Sequence, residues 1–184
     1  TRRPFKFNGQ DSIMYDGVKS QVEAIQNVAT AKAWSVQAGY EIALLKNLIW
    51  QTKLNWVEWK ETDDVQNVQV PLRHAAPFFA STMLEYEYKE FTFQANAMYN
   101  AEISNNNLAP SEKAKTFIYA KDASGNPYSP SWFTIHAKVS YKINSIKTLL
   151  SLGCENITNQ MYRPYSSGIV AAGFNFIVSL KTSL

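Results

Sequence analysis

The sequence predicts an all-β fold, about seven antiparallel strands forming a segment of a transmembrane β-barrel, and three observations predict it. The first is the C-terminal stretch from Gly173 to Leu184, where Phe174, Phe176, Val178, Leu180, Thr182 and Leu184 alternate with Asn175, Ile177, Ser179, Lys181 and Ser183. An apolar final residue, with aromatic and aliphatic side chains behind it on one face, is what a bacterial outer-membrane barrel presents as its closing strand. The second is the recurrence of this period-two alternation along the chain, and the third is the way short and long connections take turns between the alternating runs.

The segment 1–21 carries Asn8-Gly9 and Asp16-Gly17, pairs that mark turns, and is expected to be a loop. From Val18 to Lys32 the residues Val18, Val22, Ile25 and Ala29 also fit a helical face, but the direct continuation into an alternating run favours one long strand projecting beyond the membrane. That run, Ala33 to Leu44, places Trp34, Val36, Ala38, Tyr40 and Ile42 opposite Ser35, Gln37, Gly39 and Glu41. The second sets Leu48, Trp50, Thr52, Leu54 and Trp56 against Gln51, Lys53 and Asn55, and the third sets Ala80, Thr82, Leu84, Tyr86 and Tyr88 against Ser81, Met83, Glu85 and Glu87. The fourth has Phe91, Phe93, Ala95, Ala97 and Tyr99 opposite Thr92, Gln94, Asn96 and Asn100; the fifth has Phe133, Ile135, Ala137, Val139 and Tyr141 opposite Thr134, His136, Lys138 and Ser140. The sixth, about Lys147 to Glu155, leaves its facing open because Leu149 and Leu150 are adjacent. Gly173 to Leu184 is the seventh.

Between these runs the short links near Leu45 to Asn47, Lys89 to Glu90 and Asn144 to Ile146 alternate with long polar ones near Glu61 to Pro77, Ala101 to Ser131 and Asn156 to Ala172. All long loops therefore fall at one end of the strands, as on the extracellular side of an outer-membrane barrel. Trp34, Trp56, Tyr99 and Phe133 lie toward the long loops and Tyr88, Phe91 and Tyr141 near the short turns, which implies two aromatic girdles. Core packing in a soluble sheet is the other reading of the same aromatics. A C-terminus in the periplasm makes the last strand run inward, and seven strands counted back then begin from an extracellular loop at 1–21.

Composition excludes several classes. Ten Tyr, ten Phe and five Trp give a chain that is 46% hydrophobic, yet its longest apolar runs, such as Ile42 to Leu45 and Ile169 to Ala172, are far below the roughly 18 residues of a membrane helix. The slightly negative mean hydropathy decides nothing, because half of each barrel strand faces water. The net charge of +3 comes from scattered Lys and Arg with no basic stripe, which argues against nucleic acid as a partner. The single cysteine, Cys154, excludes an internal disulfide and a Cys/His metal cluster; no cofactor and no metal site are expected, and Cys154 itself reads as a small apolar residue. No Gly-x-Ser-x-Gly elbow occurs, so the chain is read as a non-enzyme rather than a barrel hydrolase. Starting at Thr1-Arg2-Arg3-Pro4, the sequence reads as a piece of something longer.

The stretches PLRHAAPFF, GCENITNQMYRPYSSGIVAAGFNF and FNGQDSIMYDG resemble the C-terminal barrel region of TonB-dependent outer-membrane receptors, especially those of Bacteroidetes-type bacteria. The resemblance spans nearly the whole chain, and its most specific part is Glu155-Asn156 followed by Tyr162-Arg163-Pro164 and a Gly-x-Asn-Phe strand. Two positions depart from it: Ala172-Gly173-Phe174 stands where the family commonly has Pro-Gly-Arg, which affects a local contact at the start of the last strand, and Leu184 stands where Phe commonly ends the chain. The resemblance implies a 22-stranded barrel in the bacterial outer membrane, a lumen filled by an N-terminal plug that this chain lacks, a segment engaging TonB, and energy-coupled uptake of a scarce ligand. Siderophore, haem, cobalamin and glycan ligands all suit that architecture. On this reading residues 1–184 are the C-terminal part of the barrel, and the partners are outer-membrane lipid, the plug, TonB and a small extracellular ligand. A passive porin-like channel and a soluble β-sheet binding module remain the alternatives.

Candidate contacts follow. Arg73 and His74, in a long loop, could meet an anionic ligand or simply anchor the loop. Tyr119, Tyr128 and Trp132, in or beside the Ala101 to Ser131 loop, are ligand-contact candidates, with loop self-packing the competing reading. Gln51, Lys53, Glu85, Asn96 and His136 would line the lumen wall facing the plug. Ser124 to Pro130, SGNPYSP, is turn chemistry at a loop tip.

Overall fold

Two-residue turns with left-handed backbone organise the N-terminal part of the computed structural model, which describes residues 2–25, 30–63, 68–72 and 77–183. Asn8-Gly9 and Asp16-Gly17 have positive φ at both positions (49° and 78°, 49° and 76°), the geometry of turns that match strand twist. The first brings Phe7 opposite Gln10, and the second joins β2 (Ser12–Tyr15) to β3 (Val18–Gln21). Around them β1 (Arg2–Pro4) pairs with β4 (Glu23–Ile25). Both turns therefore form where the dipeptides predict, but the long strand expected from Val18 does not: β3 and β4 spend their backbone groups on β2 and β1 instead of on the next wall strand. The N-terminal segment is a set of nested hairpins rather than an unstructured loop. It belongs to one contact unit, residues 1–32 with 60–70; residues 33–59 with 71–184 form the second.

An antiparallel meander makes up most of the second unit, and the ends of its first two strands and most of a short partner strand fall in the first. Its strands are β5 (Ala31–Leu45), β6 (Leu48–Asp63), β8 (Phe79–Tyr88), β9 (Phe91–Asn100), β12 (Trp132–Ile143), β13 (Thr148–Glu155) and β14 (Asn175–Thr182), each hydrogen-bonded to its neighbour in chain order, while a short β7 (Val68–Pro71) pairs with β6. The long loop between β9 and β12 holds a 3-10 turn at Asn105–Asn107, α1 (Pro110–Lys113) and a small hairpin of β10 (Ala120–Lys121) and β11 (Pro127–Tyr128). All seven wall strands and all three short turns match the sequence reading. SGNPYSP is divided, however: the reversal lies at Asp122 to Asn126, around Gly125 with φ 82°, and Pro127–Tyr128 is already strand.

Strand register decides the faces. Leu84, Ala95, Ala137, Cys154 and Phe176 form one row across five strands, and Tyr86, Phe93, Val139, Leu152 and Val178 form the next. The facing of β13, open in the sequence, is thus settled: Leu150, Leu152 and Cys154 join the apolar face, Leu149, Ser151 and Gly153 the other. At the short-turn end Phe91 sits beside Tyr88 and Tyr141, its ring 4.7 Å from that of Tyr141; at the long-loop end Tyr99 pairs with Phe133. Eight residues separate Phe91 from Tyr99, about 27 Å along a strand. Tilted by 35–45°, such a strand spans roughly 20 Å between ring rows, close to the height of an outer-membrane apolar band once the rings are included.

Burial on this sheet is the reverse of a water-soluble one. On β9 the aromatic residues Phe91, Phe93 and Tyr99 are exposed while Thr92, Gln94, Asn96 and Asn100 are sheltered, and on β12 Phe133 and Ile135 are exposed while Thr134 and Ser140 are buried. Phe176, Val178 and Leu180 are 69%, 71% and 68% exposed. Leaving such side chains in water forfeits about 1.5–3 kcal/mol each relative to burial. The polar atoms on this outer face are satisfied locally: Trp50 Nε1 donates to Thr82 Oγ1 at 2.7 Å, Thr52 and Thr82 hydroxyls lie 2.9 Å apart, and Thr82 Oγ1 donates to the Gln51 carbonyl at 3.2 Å. Among the described residues no helix is long and apolar enough to cross a membrane, which says nothing of crossing by strands.

Candidate functional site

Above the strand ends, the two long loops build a folded cluster with its own small core. The buried apolar residues are Ile103, Leu108, Ala109 and Trp132, and Ile103 exchanges backbone hydrogen bonds with Ser129, which closes the loop on itself. Glu112, on α1, is fully buried. A charge there is tolerated because Lys115 Nζ donates to Oε1 at 2.8 Å and Tyr119 Oη donates to Oε2 at 2.7 Å. Burial, then the Glu112 hydrogen bond and charge, push the Tyr119 hydroxyl well above the ordinary phenol range, so it stays a donor. At the tip, the Asn126 backbone N–H, helped by its side chain and the Ser124 N–H, holds the exposed Asp122 carboxyl below its usual range against slight desolvation.

The second loop is tied down by Asn156, which is 3% exposed and adopts φ 46°, a left-handed conformation that Asn tolerates. Its Nδ2 donates to the carbonyls of Gln160 and Ala172, both at 2.9 Å, and its Oδ1 accepts from Gln160 N and Thr158 Oγ1 at 3.0 Å. One side chain thereby joins the start of the loop to its end. The Asn156 N–H donates to His136 Nδ1 at 3.4 Å, and the other ring nitrogen, Nε2, lies 2.9 Å from Thr134 Oγ1. Gly173 then lies so close to Asn159 that a Cβ there would stand 2.7 Å from Oδ1, the same oxygen that accepts from Phe174 N at 3.0 Å. At the junction where the departure Ala172-Gly173-Phe174 occurs, the last strand is held by two asparagine side chains.

Between the two loops lies a cleft of about 410 Å³. Phe117 to Ala120 and Ser129 to Ser131 form one wall; Gln160 to Pro164, Ser166, Ser167 and Val170 form the other. Arg163 Nη1 donates across it to the Phe117 carbonyl at 3.2 Å, and the Tyr119 and Tyr165 rings meet at 6.3 Å.

The sequence-derived candidates divide. Tyr119 lines the cleft with its hydroxyl committed to Glu112. Tyr128 is half-buried on β11 and is not part of the cleft wall. Trp132, expected as an exposed contact, is 8% exposed and stacked on Tyr162 at 4.2 Å; it supports the loop from beneath. Arg73 and His74 lie outside the described residues. Gln51, Lys53, Glu85, Asn96 and His136 do share one sheet face: Gln51 stands opposite Met83, Lys53 opposite Ser81, Asn96 opposite both Met83 and His136, and Glu85 accepts from Gln94. His136 differs from the rest because its Nδ1 meets the Asn156 N–H at the loop junction while its Nε2 meets Thr134 of its own strand. Among the described residues no group of three His, Cys, Asp or Glu side chains is placed to hold a metal. Sequence reasoning missed Glu112 altogether and held Asn156 and Arg163 only as parts of the motif that carries the resemblance, with no organising role given to either.

No protein-family model and no curated protein matches the sequence. Solved structures do match the fold. The chain aligns with the copper transporter OprC at a TM-score of 0.64 and 16% identity over 90% of this chain and 24% of that one. It aligns with the FrpB iron transporter from Neisseria meningitidis at 0.62 and 13% over 88% and 24%, and with the ferric citrate transporter FecA at 0.52 and 17% over 82% and 23%. The chain thus spans about a quarter of the length of these transporters, and its antiparallel sheet with long loops at one end has the fold of that portion of their chains.

Proposed function

We propose that residues 1–184 are the C-terminal part of the 22-stranded wall of a TonB-dependent receptor in a bacterial outer membrane, with 1–21 on the extracellular side and an N-terminal plug encoded upstream. The observation that carries this reading is the inverted burial of the seven-stranded meander, apolar side chains outward between two aromatic rows and polar ones sheltered. Seven strands leave two open edges that lipid cannot satisfy, so the wall must be completed by further strands. The transport functions named for OprC, FrpB and FecA, and the siderophore receptor PiuA from Acinetobacter baumannii, which aligns at a TM-score of 0.54 and 14% identity over 90% of this chain and 23% of that one, support an uptake role over an enzymatic one.

Mechanistically, the outer loops capture a scarce solute, the plug blocks the lumen until TonB-coupled energy rearranges it, and Gln51, Lys53, Glu85 and Asn96 form the wall it moves against. Two measurements test this. The reading frame upstream of Thr1 should encode a signal peptide, a plug-sized domain and further alternating strands. The full-length protein, reconstituted in a planar bilayer, should show little steady ion conductance; a large steady conductance would establish a passive porin-like channel instead, and a protein that stays folded and monomeric without detergent would establish a soluble module.

A further inference from the structure

The loop cleft has a chemical character of its own. Among its described lining residues Arg163 is the one ionised side chain, and no described carboxylate lies within ion-pair distance of it. Its single hydrogen bond to the Phe117 carbonyl leaves most of the guanidinium fork unused. Ser166, held at φ 61°, also lines the cleft, and its solvent-shielded Oγ lies beside the Tyr119 hydroxyl. A serine hydroxyl in that position can donate to an arriving acceptor. The exposed apolar surface comes from Phe117 and Met161, 79% and 83% exposed, beside Tyr162, which is braced from behind by Trp132; Ser131, Gln160 and Ser167 add polar groups to the lining. The two walls are cross-linked by the Arg163 to Phe117 bond and the Tyr119 to Tyr165 contact, so the cleft is assembled by the loops alone.

From these features we infer that the cleft is a binding site for a small organic anion, a carboxylate or phosphate on a flat apolar body, with Arg163 and Ser166 holding the anionic group and Phe117, Met161 and Tyr162 covering the body. It rests on the extracellular placement of the long loops proposed above. Charge and fork geometry select carboxylate or phosphate over a neutral solute, and the absence of a carboxylate among the described lining residues disfavours a cation. The site needs nothing from the sheet's polar face, so it receives the anion before the lumen is reached.

The test uses the full-length protein in detergent in a Cys154→Ser background, with benzoate as the probe, benzamide as its neutral counterpart and inorganic phosphate as an anion without the apolar body, read by saturation-transfer NMR titration. Benzoate should bind more tightly than either comparator. Arg163→Gln should weaken benzoate by about tenfold or more while leaving benzamide unchanged. Because Arg163 also bridges the walls, Ser131→Glu provides a second variant: it adds a carboxylate at an exposed lining position, leaves that bridge intact, and should likewise weaken benzoate only. Benzamide binding as well as benzoate, or benzoate undiminished in both variants, would overturn the inference. In parallel, Met161→Cys on intact cells should react with a membrane-impermeant maleimide. Labelling with no anion binding would sink the anion site alone, whereas absence of labelling would sink the extracellular placement on which it rests.

Discussion

The wall sheet and the loop cluster at its long-loop end bury opposite halves of their chemistry. In the cluster Ile103, Leu108, Ala109 and Trp132 are inside and the polar groups that accompany them, Glu112 and Asn156, are each saturated with hydrogen bonds. In the sheet Phe93, Leu152 and Phe176 are outside, and Thr134 and Ser140 are inside. The cluster is folded as water demands, and the sheet as hydrocarbon demands. These opposite burial patterns make different perturbations costly, and this contrast can be broken or sharpened experimentally.

The largest expected effect is on the sheet. Leu84→Arg puts a charge near the middle of the outward face and should cost about 2–4 kcal/mol of folding stability in lipid, whereas Gln94→Arg, next to Glu85 on the opposite face, should cost much less. Urea titrations of the full-length protein in vesicles compare them, and equal losses would undo the assignment of faces. Next comes the cluster's hub. Asn156→Ala strips partners from the Gln160 and Ala172 carbonyls and should cost about 2–3 kcal/mol locally. Amide exchange should rise across 156–174 while β8 and β9 stay protected; uniform loosening would mean that loop and sheet are one cooperative unit.

Thr82→Val should be intermediate. It orphans the Trp50 N–H on the outward apolar face, for about 1–2 kcal/mol, and Trp50→Phe in the same background should recover much of that loss. The smallest effect is the pH response of the loop tip. The Asp122 carboxyl is held below the ordinary aspartate value by the Asn126 and Ser124 N–H groups, so the stabilisation is fully present above that value and is lost as pH falls through the lower folded value. Exchange at Ser124 and Asn126 should accelerate there relative to Asp122→Asn, and a response identical to that variant's would remove the carboxylate from the account.

Legibility in the sequence follows the same division. The wall strands were readable because a period of two and the turn pairs are local signals, and because a sheet with lipid on one face must keep them strictly. The candidate site was read only in part. Tyr119 was named for the right loop, but Trp132 was read as exposed because its indole lies at a loop boundary, and only the Tyr162 ring, thirty positions on, shows that it is covered. The mixed signal at Val18 to Lys32 misled for a related reason: an alternating or helical face does not say which strand will claim its hydrogen bonds, and β2 and β1, brought near by two glycine turns, claimed them first.

By itself, then, the sequence determined the all-β class, the number and order of the wall strands, the side of each residue on most of them, and the segregation of long loops to one end, because each depends on neighbours one to four positions apart. Tertiary structure alone decided the facing of β13, the burial of Glu112 beneath Lys115 and Tyr119, the joining of both ends of a loop by Asn156, and the meeting of Arg163 with the Phe117 carbonyl forty-six positions away. Those contacts depend on which long loops fold toward each other, and that is set by packing and hydrogen-bond satisfaction over distances that no local period encodes.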